Sequence, residues 1–284
     1  VAANQQEGAM KISTMLRLNP DPSVYDGLMH RIVESAQRIE AAGFPGIWVG
    51  DSLGRGRPTL DPLVALAAVA AVTDRVELGI SVLQLPLRHP IELAHRVASV
   101  QMLSGGRLRL GVGSGSTRAD FELLGYDFDH RFGTMKRGLE TMRKAWRGEP
   151  SGEGGVLSIF PGCEGGPPVL MGAWRSPRWI TFAAQECAGW TPSGRYSSWD
   201  DLEFGMKIYR EAGGTNAVLA NVAIDLADRP GSAEVAAGAH CSLICPPEEA
   251  RRRLKRLKDM GFDEVLLISH SYAIEDLERA RDWG

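Results

Sequence analysis

The chain has 284 residues, 44% of them hydrophobic and 24% charged, with a formal net charge of −3. That balance is globular and excludes a disordered chain, and no apolar run reaches the ~18 residues needed to span a bilayer. The basic residues Arg251, Arg252, Arg253, Lys255, Arg256 and Lys258 have apolar partners at helical spacing, so they read as a solvated helix face and not as a nucleic-acid contact.

The opening "VAANQQEGAM" has neither a basic n-region nor an apolar h-region, so residues 1–9 are expected to be a disordered extension or a cloning remnant. From Met10 onward short β-branched runs alternate with amphipathic segments. "KISTMLRL" from Lys11 reads as the first strand. "YDGLMHRIVESAQRIEAAG" follows as a helix, with Leu28, Ile32, Val33, Ala36 and Ile39 on one face,. "GIWVGD", ending at Asp51, is the second strand, and Asp61-Pro62 starts a helix with a capping acid and a proline in the first turn. The longest apolar run, around Leu63–Val72, is an Ala-rich helix of core type.

"RVELGISVL" from Arg75, "RLRLGVG" from Arg107, "PPVLMGA" from Pro167, "AGWTPS" from Ala188, "AVLANVAID" from Ala217 and "EVLLISH" from Glu264 complete eight strands. Helices between strands imply a parallel sheet, and eight is the number that closes a (β/α)8 TIM barrel. "AAGFPGIWV" and "DMGFDEVLLI" repeat one joint, a helix ending in Gly43 or Gly261, then Phe, then an apolar strand,. The Gly-rich stretch from Ser151 to Gly166 reads as a loop and Gly231–Gly238 as an irregular insertion. With no linker between halves, residues 10–284 are expected to form one domain.

Cys163, Cys187, Cys241 and Cys245 supply one Cys-x3-Cys pair with no second pair and no nearby histidine pair. No metal site is expected, and the thiols fit a cytoplasmic, reduced protein. The glycines of "RLRLGVGSGSTRAD" pose the sharper question. A dinucleotide fingerprint needs a small third residue opening a helix, with an acid about 20 residues on. Here Ser116 occupies that place, and the loop follows the fourth strand. An NAD-binding Rossmann turn, a tight turn without ligand and a backbone-lined cofactor loop at a barrel mouth all stay open on spacing alone.

The run "RVELGISVLQLPLRHPIELAHRVASVQMLSGGRLRLGVGSG" resembles the luciferase-like flavin oxidoreductases, which include bacterial luciferase, alkanesulfonate monooxygenase and coenzyme F420-dependent enzymes. "FPGIWVGDS", "HRFGTMKRGLETMRKAW", "PPVLMGA" and "CAGW" stand in the family's order. The resemblance implies a TIM barrel with F420 or FMN at its mouth and a small organic substrate. It further implies a third-strand bulge at Gly79, Ile80, Ser81 and Val82, with a cis Ser81–Val82 peptide against the ring. Cofactor contacts are implied from Gly113, Ser114, Gly115 and Ser116, and from the phosphate turn Gly172, Ala173, Trp174, Arg175 and Ser176, with Arg175 or Arg178 adding charge.

Asp51 and Ser52 match the active-site lining at the end of strand two. The family's sugar-phosphate dehydrogenases carry His there and Glu after the glycine loop; Ser52 and Ser116 argue against their acid–base chemistry. His270, ending the last strand, is the expected acid/base group (ordinary pKa ~6.5). Arg131 is expected at the mouth, and His89 is expected to order the loop after strand three. "LGISVL" and the short barrel favour F420 over FMN. The rival readings are an FMN- and dioxygen-dependent monooxygenase and a flavin-binding barrel without catalysis. An Ala-rich helix pair is compatible with the homodimers common in that family.

Overall fold

Among the described residues the aliphatic runs become nine parallel strands in a computed structural model. They are β1 (Lys11–Leu16), β2 (Gly46–Val49), β3 (Glu77–Gln84), β4 (Leu108–Gly113), β5 (Val169–Gly172), β6 (Gly189–Thr191), β7 (Val218–Asp225), β8 (Ser242–Ile244) and β9 (Glu264–Ser269). The structure describes residues 9–18, 27–53, 56, 58–151, 155–227, 239–269 and 274–284. His270, the Gly231–Gly238 stretch and residues 1–8 of the extension therefore lie outside the described residues.

The order is β6-β5-β4-β3-β2-β1-β9-β7-β8. It does not reverse at its centre as a doubly wound nucleotide-binding sheet does, which removes the Rossmann reading. The sheet curls: Trp190 N–H donates to Asn216 O (3.0 Å), Ala220 N–H to Pro192 O (3.0 Å) and Gly194 N–H to Ala220 O (2.7 Å), joining β6 to β7. One more strand is present than the sequence suggests. β8 has three residues, too few for its alternation to show, and it forms by pairing with Ala223–Asp225.

Helices pack on the outer face: α1 (Leu28–Ala41), α2 (Pro62–Ala70), α3 (Pro90–Leu103), α4 (Arg118–Leu124), α5 (Arg131–Trp146), α6 (Pro177–Glu186), α7 (Trp199–Glu211), α8 (Pro247–Met260) and α9 (Ile274–Arg281). Asp61 caps α2 as expected, its Oδ1 accepting from Leu63 N–H at 2.9 Å and Val64 N–H at 3.2 Å,. The repeated joint is also real. Gly43 (φ 82°) and Gly261 (φ 102°) end α1 and α8 in the left-handed region, and Phe44 and Phe262 are buried beyond them,. On α8 the basic face is laced with ion pairs, including Arg253–Glu249 (2.9 Å) and Lys255–Asp259 (2.6 Å). Among the described residues no helix is long and apolar enough to cross a membrane. All four cysteines are free, and burial pushes the Cys241 thiol up to about 12.

Two apolar layers follow from strand alternation. Residues such as Ile47, Ile80, Leu110 and Leu267 face the helices, while Met15, Trp48, Leu170, Val218, Ala220 and Leu266 fill the inside of the curl. The amino ends of the strands are closed by charge. Arg109 pairs with Glu264 (2.6 Å) and Glu77 (2.8 Å), lies 5.0 Å from the Trp48 ring centre, and the Trp48 Nε1–H donates to Glu264 at 3.2 Å.

Glu40 ties α1 to the entry of β3. Its carboxylate accepts from the backbone N–H groups of Asp74 (3.0 Å), Arg75 (2.7 Å) and Val76 (3.1 Å). Burial raises its pKa, but these donors and the Arg75 charge outweigh burial and hold it below its ordinary value near 4.5. A carboxylate with a lowered folded pKa adds stability above its unfolded value and loses it as pH falls through the folded one. Glu40→Gln is therefore expected to cost about 2 kcal/mol at pH 7, with a gap that shrinks in acid below its ordinary pKa. Urea midpoints at neutral and acid pH check this; an unchanged gap contradicts it.

Candidate active site

All strands run parallel, so the end of each reaches the same rim: Ser52 follows β2, Gln84 ends β3, Gly113 ends β4, Gly172 ends β5 and Asp225 ends β7. At this rim β3 carries a bulge. Its pairing with β4 passes from Ile80↔Leu110 to Leu83↔Val112, three steps against two, and the Ser81–Val82 peptide is cis. The extra residue turns both Ser81 and Val82 inward. Ser81 Oγ reaches Thr191 Oγ1 on β6 at 3.1 Å. Val82 lies over the neighbouring strands: a Cβ on Gly111 would stand 3.3 Å, on Gly113 2.6 Å and on Gly172 2.9 Å from its methyl groups.

This alters the meaning of the glycines. Gly111, Gly113 and Gly172 form a trough that takes the Val82 side chain, so they keep the floor of the mouth low. Gly79, expected among the cofactor contacts, has a different partner. A Cβ there would fall 2.1 Å from the Trp48 ring, so its bareness accommodates the indole below the mouth. Gly115 lies against Phe121 and Gln84, and Ser114 and Ser116 flank it, half-buried and exposed respectively.

Asp51, expected to line the active site, is enclosed by its hydrogen-bond partners. Its side chain is 1% exposed and held in a two-point pair by Arg88 (2.7 and 2.9 Å), while Gln84 N–H donates to Oδ2 at 2.8 Å. A carboxylate so enclosed has no face toward the mouth. Burial works against the Arg88 charge, yet Asp51 and Asp61 outweigh it and its pKa rises. The Leu-Arg-His-Pro segment thus fastens β2 to the exit of β3, and His89 precedes the first turn of α3. Ser52, half-buried, has its Oγ 3.4 Å from Thr59 Oγ1.

Trp174 and Tyr196 stack at 4.4 Å between ring centres, both partly exposed. Arg175 pairs with Asp201 at 3.1 Å through its Nε–H and is otherwise exposed. Ala173 is buried, its carbonyl accepting from Trp190 Nε1–H at 2.9 Å. Ser176 precedes α6 without a side-chain cap, and Pro177 has no N–H to give. Trp179 N–H donates to Ser176 O at 3.0 Å, so the first turn offers the Arg178 N–H and a positive dipole end. Arg131 braces the glycine loop from behind, its Nε–H donating to Gly115 O at 3.1 Å and its head lying 3.8 Å from the Phe128 ring centre. Burial lowers its pKa. Among the described residues no group of three His, Cys, Asp or Glu side chains can hold a metal ion.

Thr191, Ser193 and Asn221 are missed by reading the sequence. Ser193 and Asn221 meet at 3.3 Å, with Asn221 at φ 56°. An asparagine inside an apolar strand was the available signal.

Comparison with known proteins fits this geometry. The chain is 35% identical over 117 residues to 4-hydroxyprotoasukamycin monooxygenase of Streptomyces nodosus subsp. asukaensis, covering 41% of this chain and 31% of that one. It thus spans about a third of that curated relative. An F420-dependent secondary alcohol dehydrogenase superposes with a TM-score of 0.80 at 13% identity over 98% of each chain. The oxygenating constituent of 3,6-diketocamphane monooxygenase from Pseudomonas putida, in complex with FMN, gives 0.76 at 16% over 96% of this chain and 97% of that one. These likenesses establish the fold. Residues 10–280 match the family described as luciferase-like monooxygenase, and the chain belongs to that family.

Proposed function

We propose that the chain is a flavin-type oxidoreductase that holds F420 or FMN at the strand ends and exchanges hydride or electrons with a small organic substrate. The observation that carries this reading is the low floor made by Val82 lying across Gly111, Gly113 and Gly172. A flat ring needs a floor without projecting side chains, and bare backbone in two adjacent strands supplies it. The positive dipole end of α6 suits the phosphate that both cofactors carry. The closed (β/α)8 barrel belongs to the same proposal, supported by the hydrogen bonds that join β6 to β7.

When bound, F420 supplies hydride transfer, whereas reduced FMN with dioxygen supplies monooxygenation. The protein's own residues do the placing. Val82 supports the ring from below, Met15 and Ile268 line the inside with apolar surface, and the Arg88–Asp51 pair fixes the loops around the rim. His270, next in sequence after β9, is the proposed proton carrier. "LGISVL" keeps F420 as the first reading. The structural neighbour from 3,6-diketocamphane monooxygenase, in complex with FMN, supports FMN as the second.

Val82→Ala removes two methylene equivalents from the floor, worth about 1.6 kcal/mol. Cofactor affinity, read from ring fluorescence, is expected to fall about tenfold with thermal stability little changed. Equal affinity in the variant and the parent contradicts a ring seated on Val82.

A further inference from the structure

Among the described residues Asn221 is the one non-glycine residue with positive φ, at 56°. Side-chain-bearing residues avoid that region, asparagine least of all. The cause is a second bulge. Pairing of β7 with β9 passes from Leu219↔Val265 to Val222↔Leu267, again three steps against two. Leu219 and Val222 face the helices and Ala220 faces the interior, so the extra residue brings Asn221 to the inner side beside Ala220. Ser193, which pairs with Ala220, receives Asn221 Nδ2–H on its Oγ at 3.3 Å.

β3 and β7 are four strands apart along the sheet order. The two bulges thus stand on facing walls, apolar Val82 on one and the Asn221 amide on the other. With one N–H engaged by Ser193, the half-buried Asn221 keeps its second N–H and its Oδ1 without partners among the described residues. It offers one donor and one acceptor side by side. The same turn carries an aromatic face: Tyr196 N–H donates to Ser193 O at 3.0 Å, and Tyr196 stacks on Trp174.

The geometry points to Asn221, oriented by Ser193, as a specificity-determining residue that hydrogen-bonds the oxygen of an apolar-bodied alcohol or ketone. The inference rests on the proposed oxidoreductase reading for the purpose of that contact, but its binding test does not need the cofactor. A donor–acceptor pair accepts both members of a hydroxyl/carbonyl couple. A site built for an oxygen rejects the analogue lacking it, because its buried polar groups are then left unpaired.

The probes are cyclohexanol, cyclohexanone and cyclohexane, with binding to the full chain read by saturation-transfer NMR. The parent is expected to prefer both oxygenated probes over the hydrocarbon by about tenfold. Asn221→Gly, which tolerates the left-handed backbone, is expected to lose that preference while keeping its affinity for cyclohexane. Asn221→Asp keeps an acceptor and loses the donor, so it is expected to retain cyclohexanol and release cyclohexanone. That split does not arise from a merely structural role. A full preference in Asn221→Gly, equal binding of both oxygenated probes by Asn221→Asp, or no preference in the parent overturns the inference. If Asn221→Gly fails to fold by circular dichroism, the aspartate split decides. Failure of F420 and FMN to bind while the probe preferences hold sinks the oxidoreductase reading alone.

Discussion

Arg88→Met is expected to destabilise the protein by about 3–5 kcal/mol, because it strands a carboxylate in the interior. Asp51 is 1% exposed, and without Arg88 the Gln84 N–H at 2.8 Å is left as its one strong donor. The loss reaches the mouth as well, since this pair fastens the end of β2 to the exit of β3. Arg88→Lys keeps the charge and loses the two-point fork, so an intermediate loss is expected. The double variant Arg88→Met with Asp51→Leu removes both charges and should recover most of the stability. Urea unfolding at pH 7 checks all three. A midpoint for Arg88→Met equal to the parent's contradicts a buried pair at this place.

Gly111→Ala carries the second large expectation. A Cβ at residue 111 would fall 2.2 Å from Ile80 O, and a backbone carbonyl inside a paired strand has nowhere to move. Overpacking of this kind costs about 3 kcal/mol or more. Gly113→Ala meets only a Val82 methyl, at 2.6 Å, so Val82→Ala should rescue it and should not rescue Gly111→Ala. Gly50 has nothing within 4 Å of an added Cβ, and Gly50→Ala is expected to stay within about 1 kcal/mol of the parent. Chemical denaturation of the five variants orders them. Failure of Val82→Ala to rescue Gly113→Ala would refute the trough.

These glycines also mark how far the sequence could be read. Strand alternation, the Asp61-Pro62 helix start and the joint shared by Gly43-Phe44 and Gly261-Phe262 are local, and the fold realises them. The position of the β3 bulge came from resemblance, and the Ser81–Val82 peptide is where that resemblance put it. What stayed hidden depends on partners far apart in the chain. "GVGSG" cannot reveal that Val82, some 30 residues earlier, fills the space above Gly111 and Gly113. Asp51 at a strand end gives no hint of the two-point grip by Arg88. A three-residue strand such as β8 has no period to detect, and the β7 bulge at Asn221 is set by pairing with β9.

The claim that the mouth floor exists to seat a flavin-type ring is tested most directly by titrating the purified protein with F420 and with FMN while following ring fluorescence. Saturable binding of at least one of them at micromolar concentration, weakened about tenfold by Val82→Ala, is the expected result. Absence of binding by both contradicts the claim.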